Sequence, residues 1–316
     1  MSKIGFLSLI AVAVALLVGC EQQAKLTVRV VDDNNQPVQG ARVTVSFEHD
    51  NLPSRRTIIK GSTDNQGQFV AESRTSGDVA YWAEMTNWYV SSDGYAANDG
   101  AVYTDPSYQG PRQAPWNTTQ SLILRKIDNP IPLAARTLIL KVTNHVGEAG
   151  CDLLTGDWLP PFGVGTNADI VFRWSYRYGA SDDREGQLTM SFPHPGDGYI
   201  MQPYSRTSGS ELRMQHHAPD TGYSADARRW RVDQSPAYRN YSVPPRFASA
   251  FFFRIRTQTN SSGQITRAYF GKSDGDVQFF GAGDEGTGCE LIYYLNPAPN
   301  DRNLEFDGKT NLFDTR

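Results

Sequence analysis

The stretch Leu26-Thr27-Val28-Arg29-Val30 decides the fold, because apolar and polar residues alternate along it. A period of two puts its three aliphatic side chains on one face of a β-strand and the two polar side chains on the other. The polar run Asp32-Asp33-Asn34-Asn35-Gln36-Pro37 follows as a turn, and the alternation returns over residues 43–47. These segments predict two strands of a β-sandwich.

The rest of the chain keeps this rhythm of strands and turns. Turn sequences such as Asn260-Ser261-Ser262-Gly263 separate the apolar segments, and no long segment has the 3.6-residue period of a helix. The predicted fold class is therefore all-β. Further strands are predicted at residues 121–125, 137–142, 168–178, 187–192, 250–259, 265–271, 276–280 and 289–295.

The first region carries a longer motif, which runs Val30-Val31-Asp32, then Gln36-Pro37-Val38-Gln39-Gly40-Ala41-Arg42-Val43, then Thr63-Asp64-Asn65-Gln66-Gly67-Gln68-Phe69. This motif resembles the carboxypeptidase regulatory-like, or transthyretin-like, domain over about residues 25–95, and Asp93-Gly94-Tyr95 matches a later part of the pattern. The resemblance implies a non-catalytic β-sandwich that serves as a spacer or binding unit.

Two glycines of this motif stand where a turn needs positive φ, namely Gly40 and Gly67. Ala41, Val43 and Phe69 are expected to point into the core of the sandwich.

The N-terminus has the layout of a secretory signal, in which Lys3 precedes an uncharged run from Ile4 to Val18. This run of about 15 residues is shorter than the roughly 20 that a membrane-spanning helix needs. The sequence Leu17-Val18-Gly19-Cys20 resembles the lipobox of bacterial lipoprotein precursors. The resemblance implies cleavage before Cys20, a lipid on its thiol and acylation of the new amino group. The alternative is an ordinary signal peptide with a chance cysteine.

A lipid on Cys20 predicts a partner and a location. One acyl chain binds a bilayer marginally, at about 0.8 kcal/mol per buried CH₂, whereas three chains hold nearly permanently. The expected partner is the lipid bilayer, and the expected location is the cell envelope. Glu21 follows the cysteine, where Asp is the inner-membrane retention signal of enteric bacteria, so the outer membrane is favoured.

Two β-sandwich-like domains in tandem, after a lipoprotein signal peptide, are the predicted architecture. The two prolines of Asp128-Asn129-Pro130-Ile131-Pro132 deny hydrogen-bond donors to a strand and indicate a linker. The predicted segments are a signal peptide over 1–19, a lipidated tether over 20–24, the regulatory-like sandwich over 25–127, a linker over 128–136 and an all-β domain over 137–316.

Two cysteines remain after Cys20, and they lie near the two ends of the second domain, at Cys151 and Cys289. In an oxidising compartment an even pair is expected to form a disulfide. Closing a loop of this length contributes about 4–5 kcal/mol in the chain-entropy model. The alternative is two separate buried thiols.

The second domain has its own signature in three segments. It resembles the C-terminal half of exported bacterial proteins of uncharacterised function, so the resemblance implies export but no activity. The segments are Asp152-Leu153-Leu154-Thr155-Gly156-Asp157-Trp158-Leu159-Pro160-Pro161-Phe162-Gly163, Pro195-Gly196-Asp197-Gly198, and the run from Tyr293 to Asp307.

No strong catalytic, metal or cofactor motif is present, so the prediction is a non-enzyme without a cofactor or metal. The match of residues 281–286 to Gly-x-Gly-x-x-Gly lies between two predicted strands and indicates a hairpin loop. Adjacent His216 and His217 would point to opposite faces of a strand, so they are interpreted as exposed loop residues. A net charge of −4 argues against nucleic acid as a partner.

Aromatic residues in or beside loops of the first domain are the candidate ligand contacts. Sugar rings stack on flat indole and phenol faces, but such side chains more often cover their own sandwich. The candidates are Trp82, Trp88, Tyr89, Tyr95 and Trp116, with Tyr103 and Tyr108 in the same region.

Three functions fit these patterns. The first is a membrane-anchored, non-enzymatic surface or periplasmic lipoprotein that serves binding, adhesion or envelope assembly, with a polysaccharide or another envelope protein as partner. The second is a glycan hydrolase that uses Asp157, Asp197 or Asp301 as acid and base. The third is a structural spacer that holds a partner away from the membrane.

Overall fold

The computed structural model describes residues 21–49, 52–75, 78–95, 102–103, 112–113, 117–178, 184–203, 209–210, 214–234, 249–282 and 286–314. All regular elements in these ranges are β-strands, which confirms the predicted all-β class. A helix long and apolar enough to cross a bilayer does not occur among them. The predicted signal peptide and Cys20 lie outside the described residues.

The chain divides into two compact units. The N-terminal unit comprises Met1–Ile127 with Thr207–Glu211, and the C-terminal unit comprises Asp128–Arg206 with Leu212–Arg316.

The N-terminal unit contains two five-stranded sheets. One has the order β18-β7-β5-β2-β3. In the other, β1 pairs with β4, with β10 and with β9, and β9 also pairs with β8; β6 and β11 pair separately. The strands are β1 Gln22–Val31, β2 Arg42–His49, β3 Leu52–Ser62, β4 Gln68–Thr75, β5 Val79–Glu84, β6 Trp88–Tyr89, β7 Ser91–Tyr95, β8 Val102–Tyr103, β9 Arg112–Gln113, β10 Thr118–Ile123, β11 Arg125–Lys126 and β18 Gly209–Ser210.

The core of this unit follows the alternation of its sequence. The aliphatic face of β1 packs against that of β2, and Val28, Val43 and Phe47 are fully buried. Gly40 has a φ of 80° and Gly67 a φ of 73°, which confirms the predicted turns. A side chain at Gly67 would place its Cβ 2.5 Å from the Val30 carbonyl oxygen, so glycine is required there.

The predicted tether over 20–24 overlaps the first strand, because β1 begins at Gln22 and pairs with β4 from the Gln22 to Thr75 position onward. The polar residues after Cys20 pair with β4 through their backbone groups, so the strand extends nearly to the predicted lipid site.

The C-terminal unit contains a seven-stranded and a five-stranded sheet. The first has the order β17-β20-β21-β23-β12-β24, with β22 also paired to β23, and the second has the order β14-β13-β15-β16-β19. The strands are β12 Ile131–Val142, β13 Val146–Asp152, β14 Asp157–Trp158, β15 Ile170–Tyr178, β16 Arg184–Ser191, β17 Gly198–Pro203, β19 Arg228–Gln234, β20 Ser249–Thr259, β21 Ile265–Ser273, β22 Gln278–Ala282, β23 Gly286–Asn296 and β24 Phe306–Asn311.

The run Phe251-Phe252-Phe253 lies in β20 and is fully buried on both faces of its sheet. Phe251 and Phe253 belong to the main core between the two sheets, while Phe252 belongs to a smaller core on the outer face with Met214 and Leu304. The strand predicted over 250–259 is confirmed, and the smaller core covers its outer face.

The predicted linker over 128–136 is mostly strand, because β12 begins at Ile131. The buried carboxylate of Glu305 accepts hydrogen bonds from the backbone N–H groups of Asp128 and Asn129, at 3.0 and 2.6 Å. Pro130 and Pro132 favour extended backbone, which a strand also requires, so the same residues fit both interpretations.

Candidate functional site

The candidate site lies around a β-bulge in β20. The pairing of β20 with β21 shifts register between Ile255 and Gln258, and Arg256 inside this bulge has a φ of 53°. A non-glycine residue in the left-handed region carries backbone strain, which persists only where the surroundings over-determine it.

The carboxylate of Asp197 holds the bulge in place. Its Oδ2 accepts a hydrogen bond from the Arg256 N–H and its Oδ1 one from the Thr257 N–H, both at 2.8 Å. Two successive amide groups that point at one anion form a cradle for it. The same loop is tied to β20 by Arg254, whose guanidinium donates to the Gly196 carbonyl oxygen at 2.6 and 2.9 Å.

The Arg256 side chain links the two sheets of the C-terminal unit. Its Nε donates to Asp169 Oδ1 at 2.7 Å, and its Nη2 donates to Asp169 Oδ2 at 3.0 Å and to Asp152 Oδ1 at 2.5 Å. Asp152 ends β13 and Asp169 directly precedes β15, whereas Arg256 lies in β20 of the other sheet. Arg256 therefore acts as an ionic clamp at one end of the sandwich.

Backbone amides satisfy the remaining lone pairs of the two clamp carboxylates. Leu153 N–H donates to Asp169 Oδ2 at 2.8 Å, and the N–H groups of Thr155, Thr166 and Asn167 donate to Asp152 at 3.0 to 3.2 Å. Buried charges need such pairing, because desolvation otherwise exceeds the Coulombic attraction.

The carboxylates differ in their pKa directions. Burial raises the pKa of Asp169 and of Asp197, and their hydrogen-bond donors offset only part of this effect. Burial also tends to raise the pKa of Asp152. The hydrogen bonds from the Thr155 and Thr166 amides, together with the positive charge of Arg256, outweigh this effect, so the pKa is lowered. Burial lowers the pKa of Arg256, while Asp169 and Asp152 raise it by more, so its guanidinium stays charged.

A cavity of about 350 Å³ opens beside the clamp. Small-ligand pockets span about 300–1,000 Å³, so this one suits a small group or a single unit of a polymer. His194 Nε2 lies 3.0 Å from Asn167 Oδ1 at its rim. The lining residues are Asn167, His194, Pro195, Arg256, Thr257, Gln258, Arg267 and Tyr269.

Arg267 and Tyr269 form a rigid pair on one wall of this cavity. The Arg267 guanidinium stands over the Tyr269 ring at 5.3 Å and its Nη2 donates to the phenol oxygen. Tyr269 is only 7% exposed and its ring belongs to the main core, so it fixes the guanidinium from below.

The three carboxylates proposed for hydrolysis bind separate backbone groups. Asp157 accepts from the Trp158 and Val164 amides, Asp197 from the bulge in β20, and Asp301 Oδ1 from the Asn303 amide at 2.9 Å. Within the described residues no hydrogen bond joins any two of them, and each accepts hydrogen bonds from backbone N–H groups. The geometry therefore gives no support to an acid–base pair among them.

The predicted aromatic contacts are dispersed over the N-terminal unit. Trp82 lies in the middle of β5, and Trp88 and Tyr89 form β6; all three are partly buried, and Trp88 packs against the core of the unit. Tyr95 ends β7 and Tyr103 ends β8, while Trp116 and Tyr108 lie outside the described residues. For Trp88 the structure favours packing over its own sandwich.

Cys151 and Cys289 are free thiols in the structure and both are fully buried in the main core. Cys151 lies in β13 of one sheet and Cys289 in β23 of the other. Burial raises the pKa of each thiol, and for Cys151 the charges of Asp169 and Cys289 add to this effect. The disulfide stays a prediction.

The histidine interpretation is wrong for His216, whose side chain is 15% exposed with Nδ1 3.6 Å from the buried Glu305 Oε2. His217 is exposed, as expected. Among the described residues, no group of three or more His, Cys, Asp or Glu side chains is placed to hold a metal ion.

No sequence pattern indicated that Arg256, Asp152 and Asp169 form a cluster. Two of the quoted signature segments converge on Arg256, one through Asp152 and the other through Asp197. The available signal was a single acidic residue at the edge of an apolar segment, as in Cys151-Asp152-Leu153 and Ala168-Asp169-Ile170. Nothing in Phe253-Arg254-Ile255-Arg256 distinguishes the clamp arginine from the neighbouring Arg254.

Comparison with known proteins finds no matching family model and no matching curated protein. Among solved structures, this chain is similar to the 3-chlorocatechol 1,2-dioxygenase of Rhodococcus opacus 1CP, with 13% identity over 34% of this chain and 61% of that chain, less than two thirds of its length, and a TM-score of 0.26. It is also similar to the shaft pilin SpaA of Lactobacillus rhamnosus GG, with 9% identity over 76% of this chain and 88% of that chain and a TM-score of 0.23.

Proposed function

We propose that this protein is a lipid-anchored, non-enzymatic component of the bacterial cell envelope that binds a polysaccharide through the cavity beside Arg256. The anchor is proposed from the lipobox at Cys20. The binding site is proposed from the cavity and its lining.

One observation carries the binding role, namely that the cavity is walled by hydrogen-bonding side chains while the nearby carboxylates are already occupied. Asn167, Thr257 and Gln258 offer amide and hydroxyl groups that match sugar hydroxyls. Asp152, Asp169 and Asp197 bond backbone amides or Arg256 instead of facing a substrate as acid or base. Such a wall favours recognition over hydrolysis.

The rigidity of the wall supports the same role. The bulge at Arg256 is held by Asp197 from one side and by the ionic clamp from the other, so Thr257 and Gln258 are presented in a fixed geometry. A preorganised site loses less conformational entropy when it binds.

A glycan array probed with the lipid-free mature chain, residues 21–316, tests the proposal. Any oligosaccharide that binds is then titrated against the variant Gln258→Ala and the control Gln187→Ala, an exposed residue of β16 outside this cavity. Loss of one hydrogen bond of about 1 kcal/mol predicts roughly fivefold weaker binding for Q258A and no change for Q187A. An array without any bound glycan would contradict the proposal.

A further inference from the structure

The charges on the cavity wall point to the chemical class of ligand. Among the described lining residues there are two arginines and one histidine, and no Asp or Glu. Arg256 is neutralised by Asp152 and Asp169 behind it. The positive charge that faces the cavity without such compensation is that of Arg267.

Arg267 has no carboxylate partner within the described part of the chain. Its guanidinium contacts the phenol oxygen and the ring face of Tyr269. Two other exposed arginines of this unit do have acidic partners, since Arg173 pairs with Glu148 at 2.8 Å and Arg177 with Glu185 at 3.2 Å. Arg267 therefore differs from them in its environment as well as in its position on the cavity.

The packing of the Arg267 guanidinium on the Tyr269 ring suits anion binding. A guanidinium presents a planar set of donors that matches an oxyanion, and stacking on an aromatic ring holds that plane in one orientation. The main core fixes the Tyr269 ring, so little side-chain entropy is lost when a ligand binds. The neighbouring amides of Asn167 and Gln258 remain suited to sugar hydroxyls.

From this arrangement we propose that the ligand is an acidic glycan, and that Arg267 binds the oxyanion of one sugar unit while the amide side chains bind its hydroxyls. The proposal rests on the proposed function, because it names the class of polysaccharide bound at the same cavity. A carboxylate of a uronic acid and a phosphate ester of a hexose present the same oxyanion chemistry to a guanidinium.

Each charged sugar is compared with a neutral counterpart of the same ring, so that binding of the charge is measured separately from binding of the sugar ring. The mature chain is titrated by calorimetry with a galacturonic acid trimer and its methyl-esterified, neutral form, and by ligand-observed NMR with galactose 6-phosphate and galactose. The wild-type protein is expected to bind at least one charged probe about tenfold more tightly than its neutral counterpart, because charge-assisted hydrogen bonds contribute more than neutral ones. The preference should shrink as salt is added.

The variants assign the preference to one side chain. Arg267→Gln is expected to bring the ratio of charged to neutral binding close to one, Arg267→Lys to keep part of it, and the control Arg173→Gln to leave it unchanged. Urea unfolding of R267Q alongside the wild type verifies that the fold is intact.

Two results would overturn the inference: equal binding of charged and neutral probes, or a charge preference that survives in R267Q. In both cases continued binding of the neutral sugars would leave the proposed function standing. Absence of binding to every probe and to the glycan array would overturn both.

Discussion

Arg256 donates to both carboxylate oxygens of Asp169, from Nε to Oδ1 at 2.7 Å and from Nη2 to Oδ2 at 3.0 Å. Asp169 is fully buried, while the Arg256 side chain keeps 24% of its surface exposed. The positive φ at Arg256 displaces this side chain from the regular alternation of β20. The strained bulge and the ion pair therefore stabilise each other.

Removing the charge of Asp152 is expected to destabilise the C-terminal unit, because its lowered pKa shows that folding favours the charged form. Asp152→Asn leaves Arg256 with Asp169 alone, and breaking a buried pair from one side costs about 3 kcal/mol in the free energy of unfolding. The exposed pair of Arg173 and Glu148 gives the matched control, since Glu148→Gln should change stability by about 0.5 kcal/mol or less. Urea unfolding followed by circular dichroism measures both. Equal effects of D152N and E148Q would contradict the clamp.

Asp152 and Asp197 are expected to affect stability with opposite dependence on pH. The folded pKa of Asp197 is raised, because burial outweighs the amides of Thr257 and Arg256 and the nearby His194. Its contribution is therefore complete below the unfolded pKa of 3.8 and is lost as pH rises through the folded pKa. The folded pKa of Asp152, which faces Arg256 and Asp169, is lowered. Its contribution is present above 3.8 and is lost as pH falls through the folded pKa.

Free energies of unfolding measured from about pH 3 to pH 7 for the wild type, Asp197→Asn and Asp152→Asn test this contrast. The stability difference between wild type and D197N should fall as pH rises, and that between wild type and D152N should rise. Curves of the same sign would show that one of the two pKa directions is wrong.

Cys151 and Cys289 are expected to form a disulfide in protein collected from an oxidising compartment. They lie in one core on opposite sheets, and the bridge would stabilise the unit by about 4–5 kcal/mol in the chain-entropy model. Because both thiols are buried with raised pKa values, they should react slowly once the reduced protein has folded. Alkylation in denaturant without reductant, followed by peptide mass mapping, measures the bridge. Full alkylation of both cysteines would rule it out.

Replacing Cys20 by Ala is expected to move the protein from the membrane fraction to the soluble fraction of the envelope. The variant lacks the lipidated thiol, and without several acyl chains the affinity for a bilayer is marginal. Fractionation and intact mass of the wild type and C20A, both expressed in an enteric bacterium, measure the change. Retention of C20A in the membrane fraction would mean that something other than a lipid on Cys20 holds the protein there.

Strand positions could be predicted from the sequence, because burial imposes its period on neighbouring residues. The alternation at Leu26 and Val28, and the apolar run at Phe251, report their own environment. The clamp could not be predicted in this way, since Asp152, Asp169 and Arg256 are distant in sequence and meet only when two sheets pack. The register shift in β20 also depends on the carboxylate of Asp197, which no local pattern around Arg256 indicates.

Glycan binding at the cavity beside Arg256 can be measured by hydrogen exchange with mass spectrometry on the mature chain, with and without saturating galacturonic acid trimer. We expect slower exchange in peptides that contain Arg256 to Gln258 and Arg267 to Tyr269, with no change in peptides that contain Trp82 or Trp88. Protection confined to the Trp82 and Trp88 peptides, or no protection in any peptide, would contradict it.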